Sequence, residues 1–317
     1  MMKTIMIWLC VLFIVSGCKK GTTPNPPIDG NSTNTSTYLG SYRVDSAYTS
    51  TTDSRGRSMN LKIYFPKNVS TALPLIIVVH GGKGGGNNIE NLRYIGYTLA
   101  THGYLTVHGQ YTYSDDVEIS ANKPNDAKKL IDNLLNKSII INGFAGTIDA
   151  NKIAECGHSG GAYTGLALAG TKHNVNGSII TYNDPRVKCV FVFSPNGTNR
   201  PVWNYYINST VDNSWNAITI PTFIAYGALE GNADAGRGQA YDNMSVGNKY
   251  EAIVPNVDHD NWNGKKPGDV YTSADNTAEN YGKSNAVAFF NYYMMNKGVK
   301  DSIGLYGNIN GVVFSKK

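Results

Sequence analysis

Ser159 stands in the run Gly157-His158-Ser159-Gly160-Gly161, between an apolar stretch (Lys152 to Cys156) and a run of small residues (Ala162 to Gly170). That order reads as strand, sharp turn and helix, the G-x-S-x-G setting in which a strained turn lifts a serine hydroxyl clear of a sheet. Small flanking residues are required because strand and helix pass so close. A glycine-rich turn with a serine also occurs as an ordinary connection, so the partners decide. A serine hydroxyl is a poor nucleophile at neutral pH and needs a base, a carboxylate to orient that base, and donors for an oxyanion. His259 is the candidate base, the only histidine C-terminal to His173. The loop Gly227-Ala228-Leu229-Glu230-Gly231-Asn232-Ala233-Asp234 offers two carboxylates; Glu230 is favoured and Asp234 is the alternative. Donors would be the N–H of Gly160, just after the serine, and that of Gly82 in His80-Gly81-Gly82. The chemistry implied is acyl transfer through a covalent serine ester.

Other chemistries fit less well. A phosphate-binding loop needs G-x-x-x-x-G-K-[ST], and Lys83 is not so placed among Gly81, Gly82, Gly84, Gly85 and Gly86. Asp258-His259-Asp260-Asn261-Trp262-Asn263-Gly264 looks acidic, but a tryptophan occupies the fifth position of the calcium-loop spacing. Neither a cofactor nor a metal is expected. Glu155, inside the elbow strand, is expensive to bury unless paired, so it marks either an interior network or an exposed strand end.

The elements that must carry these residues alternate. Arg43 to Ser50 and Leu61 to Phe65 read as two antiparallel strands at a sheet edge. Leu75 to Val79 has the continuous aliphatic pattern of a strand buried on both faces. Asn88 to Thr101 has helical spacing, Tyr104 to Val107 is a short strand, and Asp126 to Leu135 a helix. After the elbow come strands at Val187 to Phe193, Ile220 to Tyr226 and Lys249 to Val254, then a helix from Ala278 to Lys297 with Val287, Phe290, Tyr293 and Met294 toward the sheet. Strands alternating with helices imply an α/β class: one domain with a mostly parallel sheet covered on both sides.

With 317 residues, 41% of them hydrophobic, the chain can bury a sizeable core. Its formal charge of +5 is small and dispersed, which argues against nucleic acid as a partner. Lys3 precedes an apolar run from Ile5 to Val15 that is too short to span a bilayer comfortably, the pattern of a secretory signal over residues 1–17. The signal ends in Val15-Ser16-Gly17-Cys18, which resembles the lipobox of bacterial lipoproteins. Cys18 is thus expected to carry lipid, and residues 18–37, rich in Thr, Asn, Pro and Ser, to form a tether between membrane and a domain over 38–317. The expected location is a bacterial membrane, facing the periplasm or the cell surface. Of the other cysteines, Cys156 and Cys189 are expected to be free and buried, held at opposite ends of neighbouring strands.

With elbow, HGG loop, carboxylate and histidine quoted, the chain from about Leu75 to Asp301 resembles the serine α/β-hydrolases that include cutinase-type polyester hydrolases, chlorophyllases and platelet-activating-factor acetylhydrolase-like esterases. The most specific portions are Gly157 to Gly170, Asp184-Pro185-Arg186-Val187-Lys188 and Gly282 to Phe290. Dienelactone hydrolases are similar but use cysteine where this chain has Ser159. The resemblance implies an α/β-hydrolase fold, the chain order serine, acid, histidine, and a carboxylic-ester hydrolase without cofactor. It also favours Glu230, since many such enzymes place the acid three residues after a strand-ending glycine, here Gly227. Two departures stand out. Members usually carry a bulky residue after the nucleophile, where Gly160 should widen the acyl pocket, and cutinase-type enzymes place a tryptophan after the strand that ends here at Phe193, where this chain has Ser194-Pro195-Asn196. Trp203, Trp215, Trp262, Tyr111 and Tyr113 either line a cleft for an aromatic or sugar-bearing ester or pack in the core. The expectation is a monomeric esterase acting on an acyl-decorated saccharide or a small aromatic ester. Polyester or lipid hydrolysis, or a catalytically silent binding role, are the alternatives.

Overall fold

In the computed structural model, residues 38–84, 88–198, 201–207, 214–231, 236–266 and 268–317 are described, all of them within one compact unit, Thr35–Lys317. The expected signal, Cys18 and tether lie outside the described residues, as do Gly85, Gly86 and Asp234.

The sheet begins with an antiparallel pair, β1 (Val44–Thr52) and β2 (Ser58–Pro66). β3 (Ala72–Val79), β4 (Leu105–Gly109) and β5 (Thr147–His158) follow, interleaved with α1 (Arg93–Thr101) and α2 (Asp116–Leu135). Ser159 leads into α3 (Gly160–Ala169). A separate small hairpin, β6 (Lys172–Val175) and β7 (Ser178–Thr181), precedes β8 (Val187–Phe193), β9 (Thr222–Gly227), the short α4 (Gln239–Asn243), β10 (Lys249–Val254), α5 (Ser273–Met295) and β11 (Val313–Lys316). Among the described residues the main sheet has nine strands, in the order β1-β2-β4-β3-β5-β8-β9-β10-β11. Neighbours from β4 to β10 are parallel, while β1, β2 and β11 make the antiparallel edges.

Period-two alternation sorts each strand between two cores. Leu75, Ile77 and Val79 of β3 join the core under α2, α3 and α4, whereas Ile76 and Val78 join the one under α1 and α5. The same alternation in β5 sends Ala154 and Cys156 toward α5 and leaves Glu155 on the side of α3. Glu155 is fully buried, so the exposed-strand-end alternative is excluded.

β6, β7, α4 and β11 lie where no element was expected, and three expected helices differ in extent. α2 starts ten residues early, because Pro124 lies inside it without ending it. The proline lacks the N–H that would bond Ser120 O, and Tyr163 of α3 supplies the missing donor through its hydroxyl at 2.9 Å. The helix expected over Asn88 to Thr101 is a short 3-10 turn at Asn88–Glu90 followed by α1, separated by Leu92 at φ 60°. α5 begins at Ser273, where Thr272 and Asp275 form a reciprocal capping box. Cys156 and Cys189 are both free and buried. They are not at opposite ends of their strands: Cys156 aligns with Phe191, two residues past Cys189. That offset plus the strand spacing still separates the Cα atoms by roughly 8 Å, beyond disulfide reach.

Elbow packing explains the glycines. A Cβ on Gly161 would sit 1.9 Å from Val79 O, and one on Gly157 2.5 Å from the Gly161 backbone. At Gly160 the nearest atom would be Ile119 Cγ2 at 3.5 Å, an ordinary contact. We therefore expect Gly161→Ala to destabilise the fold by about 3 kcal/mol or more, while Gly160→Ala stays within about 1 kcal/mol of the parent in denaturant unfolding. Equal effects from the two substitutions would show that the strand–helix approach is not limiting.

Candidate active site

Ser159 has φ 55° and ψ −114°, a conformation that costs a non-glycine residue roughly 1–3 kcal/mol unless its surroundings enforce it. They do so here: Ser159 N donates to Phe193 O at 2.9 Å from the end of β8, and Ser159 O accepts from Tyr163 N as α3 begins. Gly81 packs directly over the elbow, since a Cβ there would meet Ser159 Cβ at 2.8 Å. The next backbone nitrogen, that of Gly82, lies 3.7 Å from where a Gly160 Cβ would stand. Both expected donor residues are thus beside Ser159.

His259 opens a 3-10 turn, His259–Asn263, capped by Asp258, whose carboxylate accepts from His259 N while Asn261 Oδ1 accepts from Asp258 N. Asp258 therefore serves to cap this turn; among the described residues no cluster suited to a metal ion occurs. The His259 ring lies 4.6 Å from that of His158, the residue preceding Ser159. Its Nδ1 is 3.0 Å from Glu230 Oε2. The two loops meet because Gly227 lets the chain pass Val257, where a Cβ would come within 2.0 Å of Val257 O.

Glu230 Oε1 accepts from Ser194 Oγ (2.6 Å), Gly227 N (2.7 Å) and Trp262 Nε1 (3.0 Å), and Arg237 Nε lies 3.0 Å from Oε2. Burial alone would raise this carboxyl's pKa. The hydrogen bonds from His259, Ser194 and Gly227 and the charge of Arg237 outweigh it and bring the value down to about 2. Arg237 also donates from Nη1 to Ser194 O, Pro195 O and Asn196 Oδ1, and its Nη2 lies 3.0 Å from His259 Nδ1.

The structure pairs His259 with Glu230, sets Gly82 and Gly160 at the elbow of Ser159, and brings His259 to that elbow through the ring of His158. Sequence reasoning missed Arg237, Ser194 and the part played by Trp262. Trp262 is fully buried, stacked on Phe193 at 4.8 Å behind the carboxylate, so it is no cleft wall. Trp203, Trp215, Tyr111 and Tyr113 are buried too, so of the two readings core packing is the one observed. The Tyr113 hydroxyl bonds Asp126, and Trp203 lies 4.5 Å from Tyr163 between ring centroids.

The Glu230 pKa falls from 4.5 to about 2 on folding, so its ionised form adds stability above about pH 4.5, and that contribution is lost as the pH drops toward 2. Urea unfolding should show the parent losing on the order of 2–3 kcal/mol more than Glu230→Gln between about pH 5 and 2. Parallel pH profiles for the two proteins would contradict this picture of the carboxylate.

Compared with known proteins, residues 61–195 match the family described as BD-FAE, an esterase family of the α/β-hydrolase fold. Among solved structures, a ferulic acid esterase from Streptomyces cinnamoneus superposes with a TM-score of 0.63 at 14% identity, covering 89% of this chain and 98% of that one. None of the curated proteins compared with the chain matches it. The chain has a single-domain α/β-hydrolase fold, and the family match supports a carboxylic-ester hydrolase.

Proposed function

We propose that this chain is a serine carboxylic-ester hydrolase working through an acyl-enzyme, with Ser159 as nucleophile, His259 as general base and acid, and Glu230 as the carboxylate that orients it. The observation that carries this reading is the contact of His259 Nδ1 with a buried Glu230 beside a serine held at φ 55°. In this reading Nδ1 donates to the ionised carboxylate, which can only accept, rather than accepting from Arg237 Nη2, and Nε2 is left as the basic nitrogen. His259 would take the Ser159 proton as the hydroxyl attacks the ester carbonyl, then return it to the leaving alcohol. Water would repeat the cycle on the acyl-enzyme. The N–H groups of Gly82 and Gly160 would receive the oxyanion, each worth about 3 kcal/mol to the transition state.

For the substrate we propose an ester of an aromatic acid, carried by a saccharide or a small alcohol and met outside the cytoplasm. The solved relative named as a ferulic acid esterase supports the aromatic acyl group. The missing side chain at Gly160, where the family resembled usually carries a bulky residue, supports room for a larger acyl group. Residues 1–37 support an extracytoplasmic setting, with Cys18 as a lipid anchor and residues 38–317 as the catalytic domain.

A fluorophosphonate probe should label Ser159 in the native chain and not in Ser159→Ala. Failure to label the native protein would favour a silent binding role. Ser159→Ala and His259→Ala are each expected to lower turnover about a million-fold without adding in combination, and Glu230→Gln roughly ten-thousand-fold. A larger loss from Asp234→Asn than from Glu230→Gln would move the acid to Asp234. On a panel of 4-nitrophenyl esters, Gly160→Ala should lower kcat/KM for bulky aromatic acyl groups more than for acetate; an unchanged ranking would separate Gly160 from acyl choice.

A further inference from the structure

Lys123 belongs to the apolar stripe of α2, four residues from Ile119 and from Ala127, and its side chain is fully buried. A lysine in that place must find partners, because an unsatisfied buried ammonium or amine is costly. It finds two backbone carbonyls of the loop after β3: Nζ donates to His80 O at 2.7 Å and to Gly82 O at 3.2 Å. Nζ also lies 3.7 Å from where a Gly160 Cβ would stand, the same distance as Gly82 N. The lysine is therefore directly behind the two backbone segments that flank Ser159.

The rest of the loop explains what those two bonds do. Tyr111 N donates to His80 Nε2 at 3.0 Å, which puts the ring proton on Nδ1 and lets it donate to Gly81 O at 2.7 Å. Tyr113 N donates to Lys83 O at 2.6 Å. The carbonyls of residues 80, 81, 82 and 83 are thus all engaged. A peptide is planar and its C=O and N–H point opposite ways, so fixing each oxygen also aims the following N–H. His80 holds the plane that carries the Gly82 N–H; Lys123 holds the planes before and after it.

We propose that Lys123 is a positioning residue for the oxyanion hole, its buried Nζ holding the His80 and Gly82 carbonyls so that the Gly82 N–H is aimed before substrate arrives. This rests on the esterase reading above. The role suits a lysine in either protonation state, since amine and ammonium both donate to carbonyls. The competing explanation is that Lys123 only balances Glu155, whose carboxylate oxygens have no hydrogen-bond partner among the described residues.

The test compares the native chain with Lys123→Met, Glu155→Gln and the double variant Lys123→Met/Glu155→Gln, using 4-nitrophenyl acetate hydrolysis, fluorophosphonate labelling rate and thermal unfolding. Lys123→Met should lower kcat and the labelling rate by about 10- to 100-fold, with KM within about twofold, as loss of aim at one oxyanion donor would. Glu155→Gln should keep kcat within about threefold. The double variant, which buries no lone charge, should unfold near the native temperature yet stay as slow as Lys123→Met; it decides the matter even if Lys123→Met alone does not fold. Recovery of kcat in the double variant, or an equal loss in Glu155→Gln, overturns the proposal while leaving the esterase intact. A native chain that neither hydrolyses the ester nor takes the label overturns the esterase reading and this role with it.

Discussion

The approach of β5 and α3 to the end of β3 constrains everything near Ser159. A serine can be lifted off the sheet at φ 55° only if the chain doubles back at once, and that brings Gly161 against the Val79 carbonyl. The turn cannot relax, because the Ser159 amide is bonded to β8 and its carbonyl starts the helix. Parallel pairing of β3, β5 and β8 sets the position of all three strand ends in one register. The loop after β3, the elbow after β5 and Ser194 after β8 consequently converge at one edge of the sheet, as ligand sites in open parallel sheets do.

Convergence alone would leave polar groups stranded, and the carboxylate of Glu230 shows how they are satisfied. Its donors come from separate parts of the chain: Ser194 after β8, Gly227 at the end of β9, Arg237 before α4, and His259 and Trp262 after β10. Each charge-assisted bond compensates part of the cost of burial and ties one more loop to the acid. Ser194 follows the end of β8. There it supports the acid from behind.

The parallel strands and the elbow were legible in sequence because both rest on local patterns: aliphatic runs for the strands and glycine spacing for the turn. His259 and Glu230 were legible through chain order and the distance of Glu230 from Gly227. Arg237 was not, since a lone arginine in a polar loop gives no sign that it will be buried against a carboxylate supplied by another loop. Lys123 did leave a sign, at four-residue spacing between Ile119 and Ala127, but Pro124 hid the helix that would have displayed it. A proline inside a helix is tolerated when the freed carbonyl is met elsewhere, and the donor, Tyr163, lies 43 positions from Ser120 in the chain. Nothing local announces such a contact.

The two glutamates near the site show why position in the sheet outranks proximity in sequence. Glu155 lies four residues before Ser159, yet strand alternation turns it under α3, against Gly157 and Gly165 and away from the edge where the loops meet. Burial drives its pKa well above the usual carboxylate range, opposed in part by Lys123. Glu230 lies seventy-one residues beyond the serine and is held at about 2 by the donors around it. A carboxyl must be ionised to fix the Nδ1 proton of a histidine, and among the described residues Glu230 is the one whose oxygen lies against His259 Nδ1. The environment, more than the residue type, separates the acid of the site from a buried carboxyl of the core.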